Sequence, residues 1–239
     1  DFCLSRGLGD VYKRQVVTKG AEILECRTSS LMLVETDASG TPFLVVKDST
    51  DPTQIGKRRQ LGESVSGYVW KTGDPVLIKS VEDHSESRKF KTMNLPGSFI
   101  VVPLNLKYQT SYALNVGLKS VYTIGVLNFT HRYDGSAFTD EQLEAIVNYS
   151  NLVAIAIEKA RFFNDSKVAY LSTVKALSAA LASKDSYTKG HSDTVESICT
   201  IMADRFGMNE REKEDLQIAA VLHDIGKIGI PETILKKES

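Results

Sequence analysis

The pattern of hydrophobic residues changes character once along this chain, and that change limits the folds open to it. Between Leu31 and Thr130 the apolar residues form short runs separated by turn-type clusters, which is typical of β-strands. From Phe138 onward they recur every three or four residues, as on amphipathic helices, and no strand signal follows. Strands followed by helices predict an α+β domain around an antiparallel sheet, here residues 16–163, and then an all-helical domain, residues 164–239.

Local signals predict the individual elements of the first domain. We predict a helix over residues 16–28 and a β-hairpin whose turn is Asp37–Gly40. Residues 54–61 are polar and basic and are predicted to form a loop, as is the charged stretch 82–96. The remaining predictions are a helix of one or two turns at 65–70, stopped by Gly73 and Pro75, strands at 76–78 and 99–106, and a half-buried strand of alternating polarity at 121–130.

A long helix is predicted to follow the last strand. Thr139 is a favourable N-cap, and Asp140 and Glu141 suit the positive end of the helix dipole. Because nothing between Asp140 and Leu181 must break a helix, one element is expected to run from the first domain into the second. We expect it to join two copies of the chain in a parallel homodimer, with packing inside one chain as the alternative.

The composition excludes several classes of protein. Of the 239 residues, 42% are hydrophobic and 25% are charged, an ordinary globular mixture. The longest aliphatic run, Leu152–Ile157, is far shorter than the roughly 20 residues of a membrane span. The net charge of −1 argues against nucleic-acid binding through bulk electrostatics, and three scattered cysteines form neither a disulfide framework nor a CxxC zinc motif. We therefore expect a cytoplasmic protein without a membrane span.

The two ends of the chain do not fit the domains between them. Residues 1–15 lack a helical period and an initiating methionine and look like translated adaptor sequence, so we predict that they are a non-native leader. The other end stops at Ser239, a few residues after a motif that should open a long domain. Both ends predict a fragment whose second domain is truncated.

Five short motifs of the first domain resemble, in order and spacing, those of the GAF domain family. They lie at Gly62–Val69, Lys71–Val76, Val102–Leu104, Ile124–Leu127 and Phe138–Asp140. The resemblance covers residues 16–163. It implies a sensor or dimerisation domain with a ligand cavity between the sheet and the helices.

The ligand of this domain is left open by the sequence. GAF domains that bind cyclic nucleotides share a spaced Asn-Lys-Phe-Asp-Glu signature, but Asn128 is not followed by lysine here. A haem group would need an axial ligand such as His84 or His131, and a cysteine-linked tetrapyrrole would need a cysteine within the sheet. We expect a signalling domain whose small-molecule ligand is unknown.

The segment LHDIGK, residues 222–227, carries the chemistry of the second domain. On a helix, His223 shares a face with Leu216, so its imidazole is expected to point into the helix bundle. Asp224, about 100° further round the helix, can reach the same metal ions, since neutral imidazole and bridging carboxylate are both ligands of divalent cations. Lys227 supplies a positive charge where a phosphate can lie.

His191 is a second candidate metal ligand. It stands four residues before Val195 and so projects from the apolar side of a predicted helix start. A single histidine of this kind is more often a core or capping residue, and a His-Asp dipeptide alone is a frequent chance match. Two histidines that each open or close an amphipathic helix favour a shared metal site.

Two separated blocks of the second domain resemble the opening of an HD-GYP domain. They are KDSYTKGHS, residues 184–192, and LHDIGKIGIP, residues 222–231, and the resemblance covers residues 167–239. The HD-GYP family hydrolyses cyclic di-GMP, a bacterial messenger. The resemblance implies that the fold is an HD-type helical bundle and that a divalent metal pair, iron or manganese, is the cofactor.

Roles for individual residues follow from this resemblance. His191, His223 and Asp224 would be metal ligands, with Asp224 bridging the two ions. Lys227 would contact a substrate phosphate, so that Asp224 and Lys227 are the expected catalytic residues. Tyr187 stands where some members have a glutamate that binds a third metal, which favours a two-metal centre.

The sequence leaves three functions open. Three ligands cannot complete a binuclear site, so we expect this chain to be inactive. We expect the full-length protein from which it comes to be a cyclic di-GMP phosphodiesterase that is regulated by its GAF domain. The first alternative is a non-enzymatic sensor or dimerisation protein with a degenerate HD segment. The second is an HD hydrolase that acts on another nucleotide.

Overall fold

The computed structural model describes residues 6–60, 64–80, 97–107, 121–182 and 191–235. The chain divides into two compact units, Asp1–Ala160 and Arg161–Ser239. The predicted loop at 82–96 lies outside the described residues. The elements are α1 (Arg6–Ile23), β1 (Cys26–Thr36), β2 (Pro42–Ser49), a 3₁₀ helix (Pro52–Gln54), β3 (Arg58–Gln60), α2 (Val65–Thr72), β4 (Val76–Ile78), β5 (Phe99–Lys107), β6 (Val121–Arg132), α3 (Asp140–Ala182), α4 (His191–Arg205), α5 (Glu210–Leu222), a second 3₁₀ helix (Ile225–Gly229) and α6 (Glu232–Leu235).

The first unit is built on a six-stranded antiparallel sheet with the strand order β3-β2-β1-β6-β5-β4. The predicted α+β fold with an antiparallel sheet and following helices is therefore confirmed. The hairpin between β1 and β2 is confirmed as well. Its turn is closed by a hydrogen bond from Gly40 N to Asp37 O, and Gly40 has a φ of 82°, which favours glycine.

Side chains alternate between two apolar layers, one on each face of the sheet. Successive residues of a strand point to opposite faces, so Leu31 and Leu33 enter one layer while Met32 enters the other. Helix α1 and the start of α3 cover the first layer, and α2 covers the second. Because both faces are covered, β6 buries the consecutive residues 125–127, and the prediction of a half-buried strand is wrong for its centre.

Helix α1 differs from the helix that the sequence predicts. It begins at Arg6 and ends at Ile23, so residues 24–28 lie outside it and Cys26 already starts β1. Tertiary contacts support its early turns: Arg14 Nη1 donates to Ser49 O at 2.8 Å, and Tyr12 packs on the apolar core. Whether residues 1–15 are native to the protein is a separate question and stays a prediction.

The predicted loop at 54–61 is wrong in part, because Arg58–Gln60 form the edge strand β3. β3 pairs with the backbone of β2, and the Arg58 guanidinium lies 4.7 Å from the centre of the Phe43 ring. Polar and basic residues are common on exposed edge strands, where charge discourages pairing with other chains. The polar and basic composition of β3 is also typical of loops, and for this reason the prediction failed here.

The long helix predicted from Asp140 is confirmed as α3, which is continuous over 43 residues. Its start is fixed by two reciprocal hydrogen bonds: Gln142 N donates to Thr139 Oγ1 at 3.2 Å, and Thr139 N donates to Gln142 Oε1 at 3.0 Å. Thr139 is therefore the N-cap, as predicted. Among the described residues, no helix combines the length and apolarity that a bilayer crossing requires.

In the second unit a short connection joins α4 to α5. Gly207, with a φ of 65°, ends α4, and Asn209 and Glu212 form a capping box that starts α5. Ala203, Ala220 and Val221 are buried, whereas the predicted apolar stripe of α4 is largely open, since Phe206 is 76% exposed. A connection this short makes the two helices run in opposite directions, so the start of α4 lies beside the end of α5.

Gly125 offers a test of the close packing between β1 and β6. A Cβ atom at this position would collide with Met32 O and would lie 2.8 Å from Leu33 Cδ2. We expect Gly125→Ala to lower the free energy of unfolding by about 1–3 kcal/mol, as overpacking does in buried cores. Urea unfolding followed by the fluorescence of Trp70, the single tryptophan, would measure it.

Gly97→Ala is the matched control. Gly97 is exposed, and no described atom lies within 4 Å of a Cβ built there. Its effect should stay within about 0.5 kcal/mol, as for ordinary surface substitutions. Equal effects of the two substitutions would contradict the close approach of β1 and β6.

Candidate metal centre

The antiparallel arrangement of α4 and α5 brings three predicted ligands together. His191 is the first residue of α4, and His223 follows the last residue of α5. Asp224 comes next and precedes the 3₁₀ helix. Residues that are 32 positions apart in the sequence therefore meet at one end of the helix pair.

The three side chains are close enough to share a cation. One potential ligand atom from each of His191, His223 and Asp224 lies within 4.8 Å of the others. The two imidazole rings are 5.4 Å apart between centroids, at an interplanar angle of 67°. His223 Nε2 lies 3.4 Å from Asp224 Oδ2. This is the only such group of three or more metal-binding side chains within the described ranges.

A backbone contact orients the ring of His223. Its Nδ1 lies 2.8 Å from Ala220 O, and only a protonated Nδ1 can donate to that carbonyl. In a neutral ring Nε2 is then unprotonated, and this is the nitrogen that faces Asp224. Metal-binding histidines are commonly fixed by such a bond from the other ring nitrogen.

Lys227 lies directly beside the carboxylate of Asp224. Lys227 Nζ donates to Asp224 Oδ2 at 2.8 Å. This hydrogen bond lowers the pKa of Asp224 below its ordinary value, against an opposing effect of burial, and the nearby histidines act in the same direction as the lysine. Asp224 is thus held ionised, the form in which a carboxylate binds a metal.

The site is more open than the sequence predicts. The side chains of His223, Asp224 and Lys227 are each about one-third exposed, at 35%, 33% and 32%, so the expectation that His223 points into the helix bundle is wrong. Helix α5 ends at Leu222, one residue before His223. The prediction that Asp224 lies on the same helix is wrong for the same reason.

The donor set fits a divalent transition metal. Two imidazole nitrogens and one carboxylate suit manganese, iron or zinc, while they lack the all-oxygen set that calcium and magnesium prefer. His191 would give one nitrogen, His223 its Nε2 and Asp224 one or both oxygens. The ligand roles of these residues stay predictions.

The other predicted candidates lie either outside the described residues or away from this cluster. Residues 184–190, with Tyr187, and also His84 lie outside the described residues. His131 is exposed, and its Nδ1 lies 2.7 Å from Thr130 Oγ1. Asn128, the first residue of the incomplete cyclic-nucleotide signature, accepts a hydrogen bond from Ser66 Oγ at 2.6 Å beneath α2.

Sequence reasoning missed the polar side chains that join the helices around the site. Glu196 on α4 accepts hydrogen bonds from Lys175 on α3 and from Gln217 on α5. Lys167 on α3 bonds to Glu214 on α5. These residues match no metal or catalytic motif, so only their position in the fold reveals them.

Comparison with known families identifies both parts of the chain. The GAF domain model matches residues 14–157, more than half of the sequence, and the chain belongs to the GAF domain family. The HD domain model matches residues 188–239, the region that holds the three clustered side chains. A solved structure of the GAF-B domain of DevS from Mycobacterium smegmatis is 16% identical, with a TM-score of 0.47, and covers 65% of this chain and 97% of that domain.

Three curated relatives are phosphodiesterases of cyclic dinucleotides. The cyclic di-GMP phosphodiesterase response regulator RpfG of Xanthomonas campestris is 32% identical over 65 residues, which are 27% of this chain and 17% of the relative. The cyclic di-GMP phosphodiesterase of Thermotoga maritima is 36% identical over 76 residues, which are 32% of this chain and 21% of the relative. The 3'3'-cGAMP-specific phosphodiesterase 3 of Vibrio cholerae is 37% identical over 64 residues, which are 27% of this chain and 14% of the relative. The chain thus spans about a fifth or less of the length of each of these relatives.

Removing a histidine from the cluster tests whether it binds a metal. We expect His223→Ala and His191→Ala each to weaken Mn²⁺ binding at least about tenfold, because even residues that only orient metal ligands contribute this much. Isothermal titration calorimetry would measure the affinity. Binding should also weaken in acid, because histidine ligands must be neutral to bind.

His131→Ala is the control, since His131 is an exposed histidine of the other unit. It should leave Mn²⁺ affinity unchanged. A wild-type affinity that survives both cluster substitutions would exclude this cluster as the site.

Proposed function

We propose that the helical unit carries part of a metal-dependent phosphodiesterase site for cyclic di-GMP and that the GAF domain regulates it. The observation that carries this proposal is the meeting of His191, His223 and Asp224, with Lys227 directly beside the carboxylate. Two curated relatives that match part of this chain are named as cyclic di-GMP phosphodiesterases.

The chemistry of the cluster suits a phosphodiester substrate. A bound pair of divalent ions, iron or manganese, would supply Lewis-acid stabilisation of the charge that develops on the phosphate. The Asp224 carboxylate would hold these ions together with the imidazoles of His191 and His223. The partial exposure of the three side chains leaves room for a substrate to approach.

Lys227 is the group that we assign to substrate binding. In this structure it neutralises Asp224, which otherwise would be a carboxylate without a cation in a partly buried site. With a divalent ion held by Asp224, the ammonium group of Lys227 would instead donate to a phosphate oxygen of the substrate. Lys227 and Asp224 are therefore the proposed catalytic residues.

The regulatory part of the proposal rests on α3. This helix continues without interruption from Asp140, in the first unit, to Ala182, in the second, so a change in the sensor domain has a covalent and helical route to the other unit. We include in this proposal a small-molecule ligand of the GAF domain, a parallel homodimer along α3 and a cytoplasmic location.

A second substrate is favoured by one specific finding. One curated relative is named as specific for 3'3'-cGAMP, another cyclic dinucleotide. The two molecules share the phosphodiester that the metal site and Lys227 would engage and differ in one base. Discrimination between them would therefore come from residues that contact the bases.

Hydrolysis by the complete gene product tests the proposed function. Cyclic di-GMP and 3'3'-cGAMP would each be incubated with the protein and Mn²⁺ or Fe²⁺, and the linear products separated by chromatography. Turnover of cyclic di-GMP supports the first proposal, and exclusive turnover of 3'3'-cGAMP supports the second. Absence of turnover of either, in a folded protein that binds the metal, would overturn both proposals and leave a non-enzymatic sensor or a hydrolase of another nucleotide.

Lys227→Ala should lower kcat/KM for the better substrate about 10- to 100-fold. A hydrogen bond to a charged group is worth about 1.5–3 kcal/mol, which corresponds to this range. Lys57→Ala, at an exposed site of the first unit, should leave kcat/KM unchanged. Full activity of Lys227→Ala would remove Lys227 from the mechanism.

A further inference from the structure

Helix α3 is bonded to both helices that carry the clustered histidines. Lys175 Nζ donates to Glu196 Oε1 on α4 at 2.8 Å, and Lys167 Nζ donates to Glu214 Oε1 on α5. Helix α4 begins with His191, and α5 ends immediately before His223. Helix α3 is therefore joined by polar contacts to both α4 and α5, the two helices next to the candidate metal site.

Glu196 is the point at which all three helices meet. Its Oε1 accepts from Lys175 of α3 and also from Gln217 Nε2 of α5, at 2.5 Å. The Glu196 side chain is only 13% exposed, so its charge is largely removed from water and depends on these two donors. Burial by itself raises the pKa of Glu196, but the bonds from Gln217 and Lys175 outweigh it and keep the pKa below its ordinary value.

Glu196 lies close enough to the two histidines along the helices for its position to affect the distance between them. It lies five residues after His191 on the same helix, about 7.5 Å along the axis. Gln217 lies six residues before His223 on α5. Because the ligand atoms must stay within a few ångströms of one another, a small displacement of α4 against α5 at Glu196 would separate the two histidines.

We propose that Lys175, Glu196 and Gln217 form a helix clamp through which α3 sets the distance between His191 and His223, and so the affinity of the cluster for divalent cations. The inference rests on the proposed metal site. The clamp residues bind neither metal nor substrate. They act through the two helices, and they are positioning residues.

The clamp also explains how a signal could reach the site. Rotation or translation of α3 moves Lys175 away from Glu196 and leaves a buried carboxylate with one donor in place of two. A movement of α4 toward solvent would restore hydration to this carboxylate and would take His191 with it. Cation affinity would then change although no ligand has changed.

The test uses the full chain and compares Lys175→Met with Lys213→Met. Lys213 also bonds to α4, through Asp204 at 2.7 Å, but it lies on α5, so Lys213→Met removes an ion pair between α4 and α5 and keeps the bond between Lys175 and Glu196. We expect Lys175→Met and Glu196→Gln each to weaken Mn²⁺ binding about tenfold, the size of effect known for residues that orient metal ligands. Lys213→Met should change it less than about twofold, and Lys175→Arg should retain wild-type affinity.

A second measurement does not depend on the metal. Hydrogen exchange of the metal-free chain should become faster in the first turns of α4 in Lys175→Met and stay unchanged in Lys213→Met. If the wild-type chain binds no Mn²⁺, the proposed metal site fails, and the exchange rates alone then decide whether the clamp exists. Unchanged Mn²⁺ affinity and unchanged exchange in Lys175→Met would overturn the clamp.

A double substitution separates the clamp from general destabilisation. If Lys175 and Glu196 act through each other, Lys175→Met/Glu196→Gln should weaken Mn²⁺ binding no more than the stronger single change does. Fully additive losses would show that the two residues act independently and would overturn the proposal. In each variant, Trp70 fluorescence would show whether the first unit, which contains Trp70, is folded.

Discussion

The antiparallel packing of α4 against α5 is the constraint on which the candidate site depends. The proposed metal ligands are remote in sequence, and the short connection at residues 206–209 brings them together by reversing the chain. His191 and His223 then face each other across one end of the pair. A shift of one helical turn, about 5.4 Å, in either helix would separate the rings beyond the reach of a shared ion.

Local patterns predicted most of the first unit because its strands are buried on at least one face. Apolar runs and turn residues located β2, β4, β5 and β6 closely, since each of these strands owes its position to its own apolar residues, whereas the first residues of β1 were predicted as helix. β3 is different, because its polar residues become a strand only through the free edge of β2. The part of α1 around Arg14 is likewise held by contacts remote in sequence, such as the bond from Arg14 to Ser49.

For the candidate site, the sequence predicted which residues meet but not how they are held. Spacing and residue type identified His191, His223 and Asp224. The end of α5 at Leu222, the contact of His223 with Ala220 O and the pairing of Lys227 with Asp224 depend on the local backbone path, which the motif does not determine. Glu196 was missed for a further reason: a glutamate in an amphipathic helix is ordinarily exposed, and its burial depends on α3 and α5.

The two units differ in what holds their elements in place, and the difference suits their proposed roles. The sheet of the first unit is covered on both faces, so its geometry follows from close apolar packing that resists displacement. In the described part of the second unit, Ile198, Met202 and Phe206 are each about half exposed or more, and the links between helices are largely ion pairs and hydrogen bonds. Polar links at a partly hydrated surface shift at lower free energy than a packed core. Under the proposed mechanism, a site held in this way would respond to small movements of α3, whereas the same residues within a dense core would not.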